Sequence, residues 1–503
     1  MCRYKFIITL LSMKITLISP YSNLNSYGIK SISTFLRSRG ITVSTIYLLN
    51  NFNHKYNPEI FNQVVELCSD SDLIGLSVMS NYFVNCVQIT EEIKNQLSIP
   101  IVWGGVHPTL SPEECLKYCD IVVRGEGEET LLEIIKRIEN HEPINEIPGL
   151  FIKQGDEILK NNSRLPMPVD DLVVIDNDFS SDYILLNNKI EKIDYKILKE
   201  YLTRDYMTLT SFGCPFNCSY CINNKLKEYY GATVRFKKVD DIINELILVK
   251  EKMDFTRHIS FDDDAFILRS VEDLKEFAEK YQAKINLPFF ISGINPMLIS
   301  EDKIKILLSA GMDRVRMGIQ TGSENGKIIY NRQIPNDKVI AAAQLINKYK
   351  HKLLLTGFDL ILDNPFESRN DSIQTIRLLS KLPAPFTLNL FSLTFYPGTD
   401  MYKKANEAGF IKDDIEDIYK KQYHDIQVNY LNFIILLFTI HKVPNWVLNY
   451  LLSEKMMNKN LRISSQLFHF AIFMGYVRRG INFLLKGDPY TLIRHVKFSL
   501  AKK

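Results

Sequence analysis

Three of the chain's eight cysteines crowd into one run, Cys214-Pro-Phe-Asn-Cys218-Ser-Tyr-Cys221. Thiolates are soft ligands suited to iron–sulfur clusters or zinc. A local zinc site normally offers four ligands, often as two C-x2-C halves. Here no Cys or His follows Cys221 before His258. Three thiolates on one tight loop leave the fourth iron of a [4Fe-4S] cube without a protein ligand, and that open corner can bind and activate a small molecule. The spacing leaves two alternatives: three unrelated reduced thiols, or part of a zinc site. The other cysteines, Cys2, Cys68, Cys86, Cys115 and Cys119, have no framework spacing, so the chain reads as reduced and cytoplasmic.

Ahead of the thiol run, strand and helix patterns alternate. Ile15–Ile18, Val43–Tyr47, Leu73–Val78, Ile101–Trp103 and Ile121–Val123 read as strands, with helical apolar spacing between them. That alternation predicts a parallel, doubly wound sheet, whose ligands sit beyond the carboxyl ends of its strands. The glycine-rich turns Gly104-Gly105 and Arg124-Gly-Glu-Gly-Glu128 fall at those ends. Pro148–Asn161 reads as a hairpin, and the Asp-rich stretch to Asp182 as a solvated connection.

From residue 201 six strand candidates recur, each followed by a helical pattern: Met207–Phe212, His258–Phe261, Phe289–Ile294, Val315–Ile319, Leu353–Ile361 and Leu388–Phe395. Six β/α units suggest a partial barrel, and the thiol run closes the first of them, where barrel active residues belong. Acidic Asp262 and Asp263 end the second strand, and Ser292 lies at the end of the third. Arg316, Gly318 and Gln320 share one face of the fourth.

The thiol run, with Tyr220 just before its last cysteine, resembles the signature of the radical S-adenosylmethionine (SAM) superfamily. Gly75-Leu-Ser-Val-Met-Ser-Asn81, Trp103-Gly-Gly-Val-His-Pro-Thr109 and Arg124-Gly-Glu-Gly-Glu-Glu-Thr130 resemble the cobalamin-binding domain that precedes many such barrels. The chain is therefore similar, over roughly residues 13–425, to the cobalamin (B12)-binding-domain-containing radical SAM enzymes. The resemblance implies an α/β protein with five parts. Residues 1–12 form an extension, 13–147 a Rossmann-like or flavodoxin-like cobalamin domain, and 148–200 a hairpin and linker. Residues 201–425 form a partial (β/α)6 TIM-like barrel, and 426–503 a helical cap.

The resemblance also implies the cofactors and their ligands. Cys214, Cys218 and Cys221 would hold a [4Fe-4S] cluster whose open iron chelates SAM. Tyr220, Asp262, Asp263, Ser292, Arg316 and Gln320 would surround SAM, although Gln320 stands where the family commonly has Glu and Arg316 serves equally as a partner for a barrel carboxylate. Ser77, Gly104, Gly105, His107, Gly125, Glu126, Gly127 and Glu128 would line the cobalamin pocket. The Asp-x-His-x-x-Gly motif that places a histidine on cobalt is absent, so His107 reads as a pocket or helix-cap residue, and Glu126 and Glu128 serve equally as helix N-terminal charges.

The implied activity is a methyltransferase acting on an unactivated carbon or phosphorus through a 5′-deoxyadenosyl radical. Alternatives are a cyclase or rearrangement enzyme of the same architecture, a methylthiotransferase, or a non-catalytic cobalamin or redox sensor. A small-molecule substrate, such as a lipid or natural-product intermediate, and an electron donor such as flavodoxin or ferredoxin follow as partners. The net charge of +3 argues for no particular partner, and no nucleic acid is expected. Beyond residue 426, eleven Lys and Arg face two Asp and Glu among apolar runs too short to span a bilayer. That tail reads as a cap over the barrel mouth, the alternative being a peripheral membrane surface.

Overall fold

The computed structural model describes residues 13–49, 53–202, 205–457 and 463–485. The extension at residues 1–12 and the end of the tail at 486–503 lie outside them. Strands β1 (Lys14–Ser19), β2 (Thr42–Tyr47), β3 (Leu73–Ser77), β4 (Ile101–Gly104) and β5 (Ile121–Val123) pair in parallel in the order β5-β4-β3-β1-β2. Helices on both faces bury these strands, which is why they read as nearly continuous apolar runs. The chain leaves β1 on one side for β2 and returns on the other for β3. That reversal opens a crevice beyond the carboxyl ends of β1 and β3, where the Tyr21 hydroxyl meets Ser77 Oγ at 2.8 Å.

The segment between the two predicted domains builds both edges of this sheet. The expected hairpin, β6 (Leu150–Gln154) and β7 (Glu157–Lys160), adds antiparallel to β5. A second hairpin, β8 (Tyr183–Leu186) and β9 (Lys189–Lys192), adds beside β2. Its two-residue turn, Asn187-Asn188, has positive φ at both positions, as a type I′ turn requires. The Asp-rich stretch before it is not a free surface. Asp176 pairs with Arg37 at 2.9 Å, and buried Asp182 accepts from the Thr45 amide at 2.9 Å.

Burial pushes the Asp182 carboxyl up to about 7, against the pull of Arg37. A carboxyl raised in the folded state stabilises the fold fully below its unfolded value, near 4, and that contribution is lost as pH rises through about 7. The span is about 4 kcal/mol at roughly 1.4 kcal/mol per pK unit. Asp182→Asn should therefore flatten the fall in urea midpoint between about pH 4.5 and 8, relative to wild type. A slope identical to wild type would show that Asp182 is ionised without cost.

The second sheet is all parallel: β10 (Asp205–Thr208), β13 (His258–Phe261), β14 (Phe289–Ile294), β15 (Met312–Gln320), β16 (Leu355–Leu362) and β17 (Thr387–Ser392), in chain order. A small antiparallel ribbon, β11 (Ser211–Phe212) and β12 (Arg235–Phe236), stands apart from it. The run 207–212, read as one strand, is thus two, because Thr210 donates its amide and hydroxyl to Asp263 at the end of β13 rather than to a sheet neighbour. Phe261, Phe266, Phe277, Tyr281 and Phe289 pack edge-on under this end of the barrel. The cluster runs on to Leu24 and Tyr47 of the first unit, whose sheet otherwise packs its two faces in clusters of their own.

Helices Tyr430–Ile440, Asn445–Leu451, Glu454–Met457 and Ser465–Leu485 follow the barrel. Ile434, Ile435 and Phe438 enter the barrel core. The last helix approaches the first so closely at Gly475 that a Cβ there would stand 2.6 Å from Thr439 Oγ1. Arg479 reaches the Leu388 carbonyl of β17 at 3.3 Å. Among the described residues no helix is long and apolar enough to cross a membrane.

Candidate active site

The thiol loop leaves β11 through Gly213, whose φ of +91° suits glycine. It is anchored at both ends. Lys227 Nζ binds the Phe216 carbonyl at 2.6 Å and Asn217 Oδ1 at 2.6 Å. Ser219 donates its amide to Tyr330 O at 3.0 Å and its hydroxyl to Ile329 O at 2.7 Å. Tyr220 packs edge-on against Tyr330, ring centroids 5.2 Å apart. Cys218 is buried, while Cys214 and Cys221 keep partial access. Burial raises the Cys214 thiol and pushes Cys221 up to about 12, so a bound metal must displace these protons.

Two neighbours of the thiols are not among the expected site residues, although Asp264 belongs to the acidic run that ends the second barrel strand. Arg332 places Nη1 3.6 Å from Cys218 Sγ and Nη2 2.9 Å from the Gly318 carbonyl. Asp264, bonded to Asn223, adds its negative charge to the burial that raises the Cys214 and Cys221 thiols.

The structure sorts the acidic residues of β13. Asp263 is a strut: its Oδ1 accepts from Thr210 N at 2.8 Å, Thr210 Oγ1 at 3.0 Å and Ser211 Oγ at 2.6 Å. It holds the start of the thiol loop, and only its buried Oδ2 lacks a partner. Asp262 faces the mouth with Ser292, and burial raises its carboxyl against the pull of Ser292 and Arg316. Between them Gly293, at φ +68°, has no room for a side chain, since a Cβ would stand 2.8 Å from the Asp263 carbonyl. On β15, Gln320 sits at a bulge with φ +69°, and its amide fills the space that a Gly318 side chain would take. Arg316 binds the barrel carboxylate Asp359 through Nε, at 2.6 and 2.8 Å, and its guanidinium lies 5.2 Å from the Phe391 ring. Phe391 in turn packs on His424 at 5.4 Å.

At the ends of the first sheet the glycines make a cradle. Gly105 has φ +105°, and a Cβ there would meet the Val78 backbone at 3.0 Å. Gly125, at φ +96°, donates its amide to Thr109 Oγ1 at 3.1 Å. Gly127 lets Ile32 pack at 2.9 Å from its would-be Cβ, and Gly104 has ordinary room there. The charged residues of these loops are committed elsewhere. His107 is buried between Phe83 and Tyr419, with Nδ1 3.0 Å from Ser80 and Nε2 3.5 Å from Glu114. Glu126 pairs with Arg235 and accepts from the Met167 amide at 2.8 Å, tying the two units together. Glu128 is buried in the first turn of helix Glu128–Glu139 and accepts from Ser31 at 2.6 Å.

The two sites meet through one helix, Asn223–Tyr230, which starts two residues after Cys221. Its far end packs on the glycine loops: the Arg124 guanidinium lies 4.7 Å from the Tyr229 ring, and Tyr230 stands 3.7 Å from the would-be Cβ of Gly125. A separate cavity of about 770 Å³, lined by Asn364, Glu367, Asn432 and Ile435 among others, includes no residue of the thiol loop.

Comparison with known proteins agrees with this geometry. A family model described as the B12 binding domain matches residues 13–135, and one described as the radical SAM superfamily matches residues 208–379. Together they cover more than half of the chain. The chain belongs to the radical SAM enzymes that carry a B12-binding domain. It is 23% identical over 420 residues to an uncharacterized methyltransferase, PH0819, of Pyrococcus horikoshii, spanning 78% of this chain and 83% of that one. It is 24% identical over 406 residues to the anaerobic magnesium-protoporphyrin IX monomethyl ester cyclase of Synechocystis, spanning 78% and 76%. Among solved structures it resembles the radical SAM methyltransferase TsrM from Kitasatospora setae, with TM-score 0.66, 17% identity and coverage of 79% and 76%. It also resembles the cobalamin-dependent radical enzyme OxsB, with TM-score 0.65, 16% identity and coverage of 98% and 81%. At these identities the likeness establishes the fold.

The residues present fit the groups that this family implies. Among the described residues no three His, Cys, Asp or Glu side chains close around a point that could hold a single metal ion. Three buried or partly buried thiols on one loop are a donor set that a cluster can take, each thiolate on a separate iron. The buried Arg332 Nε has no partner, which leaves donor capacity beside the thiols. The glycine cradle suits a flat macrocycle, and His107 is buried between Phe83 and Tyr419, with Nδ1 on Ser80 and Nε2, which makes no hydrogen bond, turned toward Glu114.

Proposed function

We propose that the chain is a methyltransferase that places a methyl group on an unactivated carbon or phosphorus of a small molecule. The reading is carried by the single helix that joins the two cofactor sites, because a methyl carrier and a radical source must reach the same substrate atom. When bound, the cluster and SAM supply a deoxyadenosyl radical and cobalamin supplies the methyl carrier. The chain's own residues bind, orient and exclude water. Cys214, Cys218 and Cys221 ligate the cluster, with Tyr220 packed behind them. Asp262 receives the SAM amino group with Ser292 beside it, and Gln320 binds the ribose. Arg316, with its Nε committed to Asp359, can serve the SAM carboxylate only through its outer nitrogens. Asp263 acts by positioning the loop. Ser77, Gly104, Gly105 and Gly125 bear on cobalamin, whereas Gly127, His107, Glu126 and Glu128 hold the cradle in place from behind. Phe391 and His424 wall the mouth against water. Electrons come from a one-electron donor of the flavodoxin or ferredoxin kind.

The test is anaerobic reconstitution with iron, sulfide and cobalamin, then reduction in the presence of SAM and candidate substrates, with mass spectrometry of the products. Deoxyadenosine together with a product one methyl group heavier supports the reading. Deoxyadenosine with a substrate-derived product that gains no methyl group overturns it in favour of a cyclase, which the Synechocystis relative's name makes the second reading.

The C-terminal helices favour a lipid-linked substrate approached at a membrane surface. Along Ser465–Leu485 the exposed residues Leu467, Phe470, Phe473, Tyr476, Ile481 and Leu484 form one apolar face, in a part of the chain where eleven basic residues face two acidic ones. Such a face lies on an anionic bilayer rather than spanning it. The protein should float with phosphatidylglycerol-containing vesicles at low salt and not with phosphatidylcholine alone, and Phe470→Glu/Phe473→Glu should remain at the bottom of the gradient. Wild type that never floats rules the surface out. Self-association that the same double variant abolishes would assign the face to a second copy of the chain.

A further inference from the structure

We infer that Arg332 sets how readily the cluster site accepts an electron, a role that rests on the cluster assignment above. The observations are geometric. Arg332 lies just beyond the short helix Glu324–Ile329, 114 residues from Cys218 in sequence, yet its Nη1 stands 3.6 Å from Cys218 Sγ. Nη2 is pinned to the Gly318 carbonyl at 2.9 Å. A Cβ on Gly318 would stand 3.4 Å from that nitrogen and 2.8 Å from Gln320 Nε2. The guanidinium is thereby fixed against the innermost of the three thiols, in a site closed by Tyr220 and Tyr330.

Guanidinium stays charged at any working pH. A fixed positive charge that also donates to a ligand sulfur stabilises the state carrying one more electron, and hydrogen bonds to sulfur and net charge are established determinants of cluster potential. The step is a one-electron transfer: the external donor is oxidised by one electron, the cluster is reduced by one, and no proton or bond is exchanged. Among the described residues the other charges that bear on the thiols include Lys227, fixed to the loop backbone, and Asp264, bonded to Asn223. Asp264 acts in the opposite sense to Arg332. Because Arg332 also touches the carbonyl of Gly318, two residues before Gln320, it couples the electron-accepting end of the site to the element that receives the SAM ribose.

The experiment is a redox titration of the reconstituted cluster without SAM or substrate, followed by electron paramagnetic resonance, on wild type, Arg332→Lys, Arg332→Met and Asp264→Asn. Arg332→Met should lower the reduced-to-oxidised ratio at a fixed poise about tenfold, which is 59 mV for a one-electron couple. Arg332→Lys should keep most of the wild-type ratio, and Asp264→Asn should raise it. A purely structural role would shift both neutral variants in the same direction or neither. Equal potentials for wild type and Arg332→Met, at equal iron and sulfide content, overturn the inference. If Arg332→Met loses iron, Arg332→Gln and Arg332→Lys carry the test, and a Lys variant that binds iron normally but matches the Gln variant in potential also overturns it. Failure to load any cluster in wild type would instead refute the cluster assignment, so the two failures are distinguishable.

Discussion

Cys218→Ala should abolish SAM cleavage, reducing deoxyadenosine to the level given by cluster-free protein. Cys218 is the buried member of the three thiols, the one touched by Arg332, and its carbonyl accepts from the Cys221 amide at 3.1 Å. Its loss would remove one of the three proposed cluster ligands, and no Cys or His beyond the run stands close in sequence to replace it. Secondary structure should survive, since the loop is held independently through Ser219 and Lys227. Anaerobic reconstitution, an iron and sulfide assay, and chromatography of deoxyadenosine check the result together. Wild-type cleavage by the alanine variant would remove Cys218 from the cluster site.

Gly105→Val should release cobalamin while leaving SAM cleavage intact. Gly105 adopts φ +105° and ψ −167°, a region that costs other residues about 1–3 kcal/mol. Its would-be Cβ meets the Val78 carbonyl oxygen at 3.0 Å and the Val78 nitrogen at 3.2 Å, both backbone atoms of the neighbouring loop. Neither can swing away as a side-chain tip would. The ends of β3 and β4 must therefore separate, distorting the crevice into which the glycine loops face. Retained cobalamin after desalting should fall at least tenfold by absorbance, with deoxyadenosine formation close to wild type. Stoichiometric cobalamin in Gly105→Val would show that the macrocycle lies elsewhere. Joint loss of cobalamin and cluster would show that helix Asn223–Tyr230 transmits the distortion to the thiol loop.

Much of this site could be read before any coordinates, because its strongest signals are local. Three thiols within eight residues, glycines at strand ends and the 2.0 and 3.6 periodicities are all properties of short windows. They gave the two β/α sheets and placed the cysteine loop at the end of a strand. Local patterns failed where partners are distant. Asp262 and Asp263 are neighbours of one residue type, yet one faces the mouth and the other ties Thr210 and Ser211 into the fold. Glu126 reads as a cobalamin-pocket residue or a helix N-terminal charge, and its partner Arg235 is 109 residues away. The hairpin at Asn187-Asn188 had a signal, two residues that tolerate positive φ, but no long apolar alternation to announce its strands.

The sequence by itself determined the side chains available to this protein: three thiols in one eight-residue run, glycines at strand ends without an Asp-x-His-x-x-Gly motif, and a basic, apolar tail. Those depend on residue type and short spacing, which folding does not alter. Only the tertiary structure decided how each charge is used. A carboxylate becomes a strut or a ligand, and an arginine a surface charge or a partner to sulfur, according to what packing brings within about 4 Å and away from water, where an unpaired charge is too costly to leave.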